Sequence, residues 1–290
     1  MVKYRFFGRS LQAKTCYTKY VFSVLLMFVV VTTYAAKDEA TVEGVWNFDN
    51  GDAADSSGKG LDGTIAGDPE VVDGIVGKAL LFDGEDDGVK LPDSAGINTI
   101  AQPNFYTDRT VAAYFNCTDV DITEQKQTIF EEGGRTRGLV INVFDGQVYV
   151  AGWNRAEYQW AGAWPSAPVE SGKWYHVALV IRDADAAVEP GKFEMWLNGE
   201  LIASEDGGAL YGHGDDIGIG HVNANAVFHD EDGAGTNIHF FGGMIDEVIV
   251  YNSAFDAADF AEYVVAVTSV QPQDKFTTTW AALKAQRTLQ

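Results

Sequence analysis

Between residues 39 and 251 apolar positions alternate with polar ones in short runs, and clusters of Gly, Asp and Asn separate the runs. A period of two is the signature of strands with one buried face, and the clusters are turn chemistry. The pattern predicts strands over 42–48, 78–82, 88–91, 109–116, 127–131, 138–144, 147–152, 174–182, 192–197, 200–204, 216–219 and 240–251. Helical periodicity is missing between them, so the strands must bury their apolar faces by packing as two antiparallel sheets. Asp145-Gly146 and Asn198-Gly199 each sit between strand-like flanks, where the pair favours the primed turns of tight hairpins. Over 173–181, Tyr175, Val177, Leu179 and Ile181 alternate with Trp174, His176, Ala178 and Val180, so both faces are apolar and the strand belongs in mid-sheet. After Tyr251 the period changes: Asp256 as N-cap, Asp259 in the first turn and Phe260, Tyr263, Val264 and Val267 behind them predict one helix over 257–267. The sequence assigns no role to the polar stretch 268–290.

The N-terminus has a different pattern. Lys3, Arg5, Arg9, Lys14 and Lys19 precede an apolar run from Tyr20 to Tyr34 that ends in small residues, the order of a secretory signal with its cut after Ala35 or Ala36. The run is short for a membrane span, so cleavage is expected over retention as an anchor. The domain organisation expected is therefore a signal at 1–36, one domain at 37–267 and a tail at 268–290. Cleavage leaves 15 basic residues against 42 acidic ones, a net charge of −27. Such a field repels nucleic acid and attracts divalent cations. Cys16 lies in the signal and Cys117 stands alone beyond it, so no intrachain disulfide is expected.

Several stretches, in order, resemble the laminin-G-like jelly-roll domains of the concanavalin A-like lectin and glucanase superfamily. They are Gly44-Val-Trp-Asn-Phe-Asp49 with the loop from Asp55 to Thr64, Gly77 to Gly84, Gly172-Lys-Trp-Tyr-His-Val-Ala178, Met195 to Gly199, and Phe241 to Tyr251. The resemblance covers about 42–267 and implies an all-β, two-sheet antiparallel jelly-roll sandwich with one short C-terminal helix. It says little about function, because this fold carries lectins, adhesion modules and enzymes alike.

In a jelly roll the first and last strands are neighbours, which would bring Asp49 and Asp246 together beside the loop carrying Asp55 and Asp62. Converging carboxylates suit calcium, with loop-anchoring hydrogen bonds as the other use of the same acids. By parity Asp246 shares a strand face with Val248 and Val250, so its carboxylate needs a partner. Trp153, Arg155, Tyr158, Trp160 and Trp164 gather aromatic faces and polar groups in twelve residues, a composition suited to sugar recognition or equally to packing on the sandwich edge. His213, His221, His229 and His239 lie among acids, at spacings that match no short metal motif. Strand-borne acids two residues apart, as a glycosidase on this fold requires, are missing: Asp183 and Asp185 lie at a strand end, and Glu131 and Glu132 face opposite ways. Asn116-Cys-Thr118 is a formal glycosylation sequon. The function expected is a secreted, non-catalytic module binding an extracellular glycan or protein, with calcium as a structural ion. A structural or adhesive envelope or matrix protein is the alternative, and a polysaccharide hydrolase or lyase ranks behind both.

Overall fold

The computed structural model describes residues 41–99, 105–157, 159–214, 216–230 and 232–268. The expected signal, the tail beyond Thr268 and Tyr158 lie outside them. In chain order the strands begin with β1 (Val42–Trp46), β2 (Thr64–Ala66), β3 (Glu70–Asp73), β4 (Lys78–Asp83), β5 (Gly88–Leu91) and β6 (Phe105–Tyr106). The long central strands are β7 (Arg109–Cys117), β8 (Gln127–Gly133), β9 (Arg137–Phe144) and β10 (Gln147–Asn154), followed by β11 (Trp160–Ala163) and β12 (Ser166–Pro168). Then come β13 (Tyr175–Ile181), β14 (Glu189–Leu197), β15 (Glu200–Gly207), β16 (Leu210–Tyr211) and β17 (Ile217–Ile219). The short pair β18 (Asn225–Val227) and β19 (Asp232–Ala234) precedes β20 (Gly242–Tyr251) and the helix α1 (Ala257–Thr268).

Two eight-stranded antiparallel sheets form the sandwich. Sheet A runs β15-β14-β13-β7-β20-β4-β3 with β1 as its eighth strand, and sheet B runs β11-β10-β9-β8-β17-β5-β2 with β12, paired to β10, as its eighth. β1 pairs with β20 on the side that β4 also uses, so the first and last strands are neighbours as the resemblance implied. Between the sheets lies an apolar core that includes Trp46, Phe82, Phe115, Phe130, Leu179 and Phe193. Asp145 and Asn198 adopt φ of 47° and 51° ahead of their glycines, as primed hairpin turns require, and each connects the strands expected of it. β13 is interior to sheet A: Val177, Leu179 and Ile181 enter the core, while Ala178 and Val180 pack on the outer face with Phe260 of α1. Asp256 caps the helix, its Oδ1 accepting bonds from Ala258 N and Asp259 N, and Asp259 Oδ2 accepts in turn from Asp256 N.

One ion pair crosses the core. Arg109 of sheet A and Glu132 of sheet B are both fully buried, with Nη1 2.9 Å from Oε2. Nη2 donates to the carbonyls of Gly96 and Ile97, and the Tyr106 ring lies 3.6 Å from the guanidinium carbon. His213 Nε2 lies 3.8 Å from Glu132 Oε1. Glu131 faces outward, where its Oε2 accepts from Asn223 N, so the two adjacent glutamates point to opposite sides as expected.

Candidate functional site

The four acids of the expected calcium site serve separate partners, although Asp49 is close enough to Asp246 to act on its charge and Asp62 bonds the Asp55 backbone. Asp55 accepts from Val45 N, Ser57 N, Ser57 Oγ and Leu61 N, which fastens the loop between β1 and β2. Burial would raise its carboxyl, yet these bonds hold it below the usual value. Asp62 Oδ1 accepts from Asp55 N, and Asp49 Oδ1 accepts from Lys78 N. Asp246 Oδ2 accepts from Val76 N. Its parity is not the one expected, because the pairing of β20 with β7 slips between Asp246 and Ile249 and Glu247 takes φ of 50°. This bulge turns Val248 and Val250 into the core and leaves Asp246 on the opposite face, paired with Tyr114. Among the described residues the triad whose ligand atoms lie within 4.8 Å of one another is Asp83, Asp86 and Asp87, not this quartet. The quartet fits loop anchoring better than an ion. If the quartet only anchors loops, Asp62→Asn leaves the effect of EDTA on the melting temperature unchanged; an EDTA-induced fall of several degrees in the native chain that Asp62→Asn abolishes would return the ion to this loop.

The aromatic segment packs inward. Trp153 is fully buried and donates its indole N–H to Gly134 O at 2.8 Å, and Trp160 is buried with its ring edge-on to Phe193. Neither offers a ring face to a ligand at the surface. Arg155 is exposed and donates to Ala161 O, and half-buried Trp164 donates to Val227 O at 3.3 Å. Trp160 is buried in the core between the sheets, and Trp153 is buried from outside: residues 221–230 cross the outer face of sheet B, and Val222, Ala226, Val227 and Phe228 pack there on Val140, Ala151 and Trp153. The crossing is close because the outward positions Gly88 and Gly218 have no side chain, and a Cβ on either would collide with His221. The two stretches richest in aromatics and histidines therefore meet each other. The histidines are dispersed along this cover and at Glu132, and none joins a metal-type triad among the described residues. Asn116 is 7% exposed within β7, too buried for glycan attachment in the folded chain.

An open cleft of about 530 Å³ lies at one end of the sandwich. Asp68, Glu70, Asp83, Glu85, Asp87 and Asp119 line it, together with Thr118, Gln125 and Gln127. Nothing in the sequence marked it, since its walls come from four separated segments. The walls are fixed: Asp83 Oδ1 accepts from Glu85 N and Asp86 N, and Asp87 accepts from Asp68 N and Asp83 N. Burial works against the Asp83 charge, but the backbone donors hold its carboxyl below the usual value. Two carboxyls raised by burial, Asp246 and Glu247, the latter to about 7, lie outside the cleft lining, near Tyr114 and Tyr263 on the outer face of sheet A.

With the geometry in view, the relatives agree. A laminin-G-type family model of the concanavalin A-like lectin/glucanases superfamily matches residues 83–261, and the chain belongs to that superfamily. No curated protein matches it. Among solved structures, domain 4 of AbnA, a GH43 extracellular arabinanase from Geobacillus stearothermophilus in complex with arabinotriose, superposes with a TM-score of 0.55 at 19% identity, covering 77% of this chain and 98% of that one. The botulinum neurotoxin serotype D binding domain gives 0.58 at 10% identity, covering 78% of this chain and 51% of that one. The binding domain of Paraclostridial Mosquitocidal Protein 1 gives 0.54 at 12%, covering 78% and 52%. The chain thus spans about half the length of those two toxin domains, and at these identities the likeness is one of fold. Among the described residues no helix is long and apolar enough to cross a membrane.

Proposed function

We propose that the chain is a secreted, non-catalytic binding module that takes an extracellular glycan in the acidic end cleft. The observation that carries this reading is an open cleft walled by carboxylate and amide side chains, two of whose carboxylates, Asp83 and Asp87, are held in place by backbone donors. Glycoside hydrolysis needs a protonated acid and an ionised carboxylate facing one another across an open site. In the cleft Asp83 and Asp87 are committed to backbone N–H donors of their own walls, which suits them to fixed acceptor roles. Fixed carboxylates and amide side chains are instead suited to accepting and donating bonds with sugar hydroxyls. An acid-lined cleft also disfavours anionic ligands, so the glycan expected in it is neutral. The arabinotriose bound by the arabinanase domain supports a sugar as ligand for this architecture.

The test is affinity electrophoresis of the full chain through gels containing arabinan, xylan or β-glucan. Retardation by at least one neutral polysaccharide is expected. Thr118 is exposed on the cleft wall, so Thr118→Trp fills the cleft without disturbing the core and is expected to weaken that retardation at least about tenfold, the loss of one well-made contact region. Unretarded migration in every gel would remove the glycan reading and leave an adhesive role as the stronger one.

A further inference from the structure

The outer face of sheet B holds a second arrangement, at the end near the Asp145-Gly146 turn. Lys126 and Thr128 of the β8 segment, Asn142 and Phe144 of β9 and Tyr149 of β10 share that face, since Thr128 pairs with Asn142 and Asn142 with Tyr149. Thr128 Oγ1 and Asn142 Nδ2 are buried there without a hydrogen-bond partner. Two orphaned donors side by side are uncommon in a folded protein and point to groups that bond something else.

The tip of the crossing segment packs on their neighbours on this face. The His229 ring stacks on Tyr149 at 4.4 Å and 9° and lies 5.6 Å from Phe144. Asp230 reaches the Lys126 ammonium at 2.8 Å, and that ammonium also lies 4.4 Å from the Phe144 ring centre. The base of the segment is fixed by buried Val227 and Phe228. The tip lies nearer the surface, with His229 and Asp230 both exposed. A flat ring on an aromatic face with a carboxylate on a lysine is what a sugar acid would present to the same residues.

We propose that Lys126, Phe144 and Tyr149, with Thr128 and Asn142 behind them, form a subsite for a uronic-acid-type sugar, and that the chain's own His229-Asp230 tip fills it as a built-in competitor. The inference extends the glycan-binding reading to a second surface and ligand class. Exchange of the tip for ligand replaces one carboxylate by another at Lys126, so the local charge balance is kept. A neutral ring would forfeit that charge-assisted bond. The acidity of the whole molecule opposes an anionic ligand, but beyond about 8 Å it is largely screened at physiological salt.

The experiment is calorimetric titration of the full chain with trigalacturonate and with its methyl ester. Asp230→Asn removes the competing charge while keeping the side-chain shape, and is expected to bind trigalacturonate about tenfold tighter than wild type, with no gain for the ester. Lys126→Gln in the same background should cancel the gain. His229→Ala frees the Tyr149 ring by an independent route and should strengthen binding of both acid and ester several-fold. No gain in either single variant, or an equal gain for acid and ester in Asp230→Asn, overturns the subsite. Thr118→Trp should leave these affinities unchanged, so loss of neutral-glycan binding alone removes the cleft reading, and loss of sugar-acid binding alone removes this one.

Discussion

Replacing Arg109 by Met is expected to destabilise the fold by about 3–5 kcal/mol, the cost of leaving one partner of a buried pair uncompensated. Glu132 has no solvent to turn to, being fully buried and fixed by both of its oxygens on Arg109 Nη1. The substitution also strips the donors from the Gly96 and Ile97 carbonyls, which tie the loop after β5 to the core. Urea unfolding followed by tryptophan fluorescence checks the figure. The double variant Arg109→Met, Glu132→Leu is the informative companion, because an apolar pair of similar volume is expected to recover most of the loss. A single variant as stable as wild type would overturn the argument from an uncompensated buried charge.

This pair also shows where sequence reading stops. Hairpin turns, the long strands, the helix and its cap were legible because each is set by residues adjacent in the chain, such as Asn198-Gly199 and Asp256 with Asp259. The adjacency of β1 and β20 followed from the resemblance. The face on which Asp246 lies was not legible: parity assumes regular pairing, and the bulge at Glu247 inverts it. A glutamate with positive φ leaves no mark in a sequence, unlike a glycine. The fate of the tryptophans was hidden for another reason, since Trp153 is covered by a segment some 70 residues further on. A trace of that cover did exist in Gly88 and Gly218, glycines at outward positions of otherwise regular strands. The end cleft and the Lys126 cluster are assembled from distant segments, and no local pattern announces either.

The second large effect is a pair of opposite pH dependences on the outer face of sheet A. His176 is fully buried with both ring nitrogens unpartnered, enclosed by Tyr114, Phe260 and Tyr263, and burial pushes its pKa down from 6.5 to about 3. Glu247 is raised from 4.5 to about 7, by burial first and then by the Asp49 charge. For His176 the unfolded chain binds the extra proton, so its contribution is complete above pH 6.5 and is lost as pH falls towards 3. For Glu247 the folded chain binds the extra proton, so its contribution is complete below pH 4.5 and is lost as pH rises to 7. Relative to wild type, Glu247→Gln should therefore gain stability as pH rises through that window, by at most about 3 kcal/mol and by less in proportion to the water Glu247 retains. His176→Gln should instead become relatively more stable as pH falls below 6.5, with a slope of about 1.4 kcal/mol per pH unit, whatever its packing cost at neutral pH. Melting curves of the three proteins from pH 4 to pH 8 decide it. Parallel curves would mean that water already reaches these groups beneath α1, and curves diverging with opposite signs would place both of them in a dry interface.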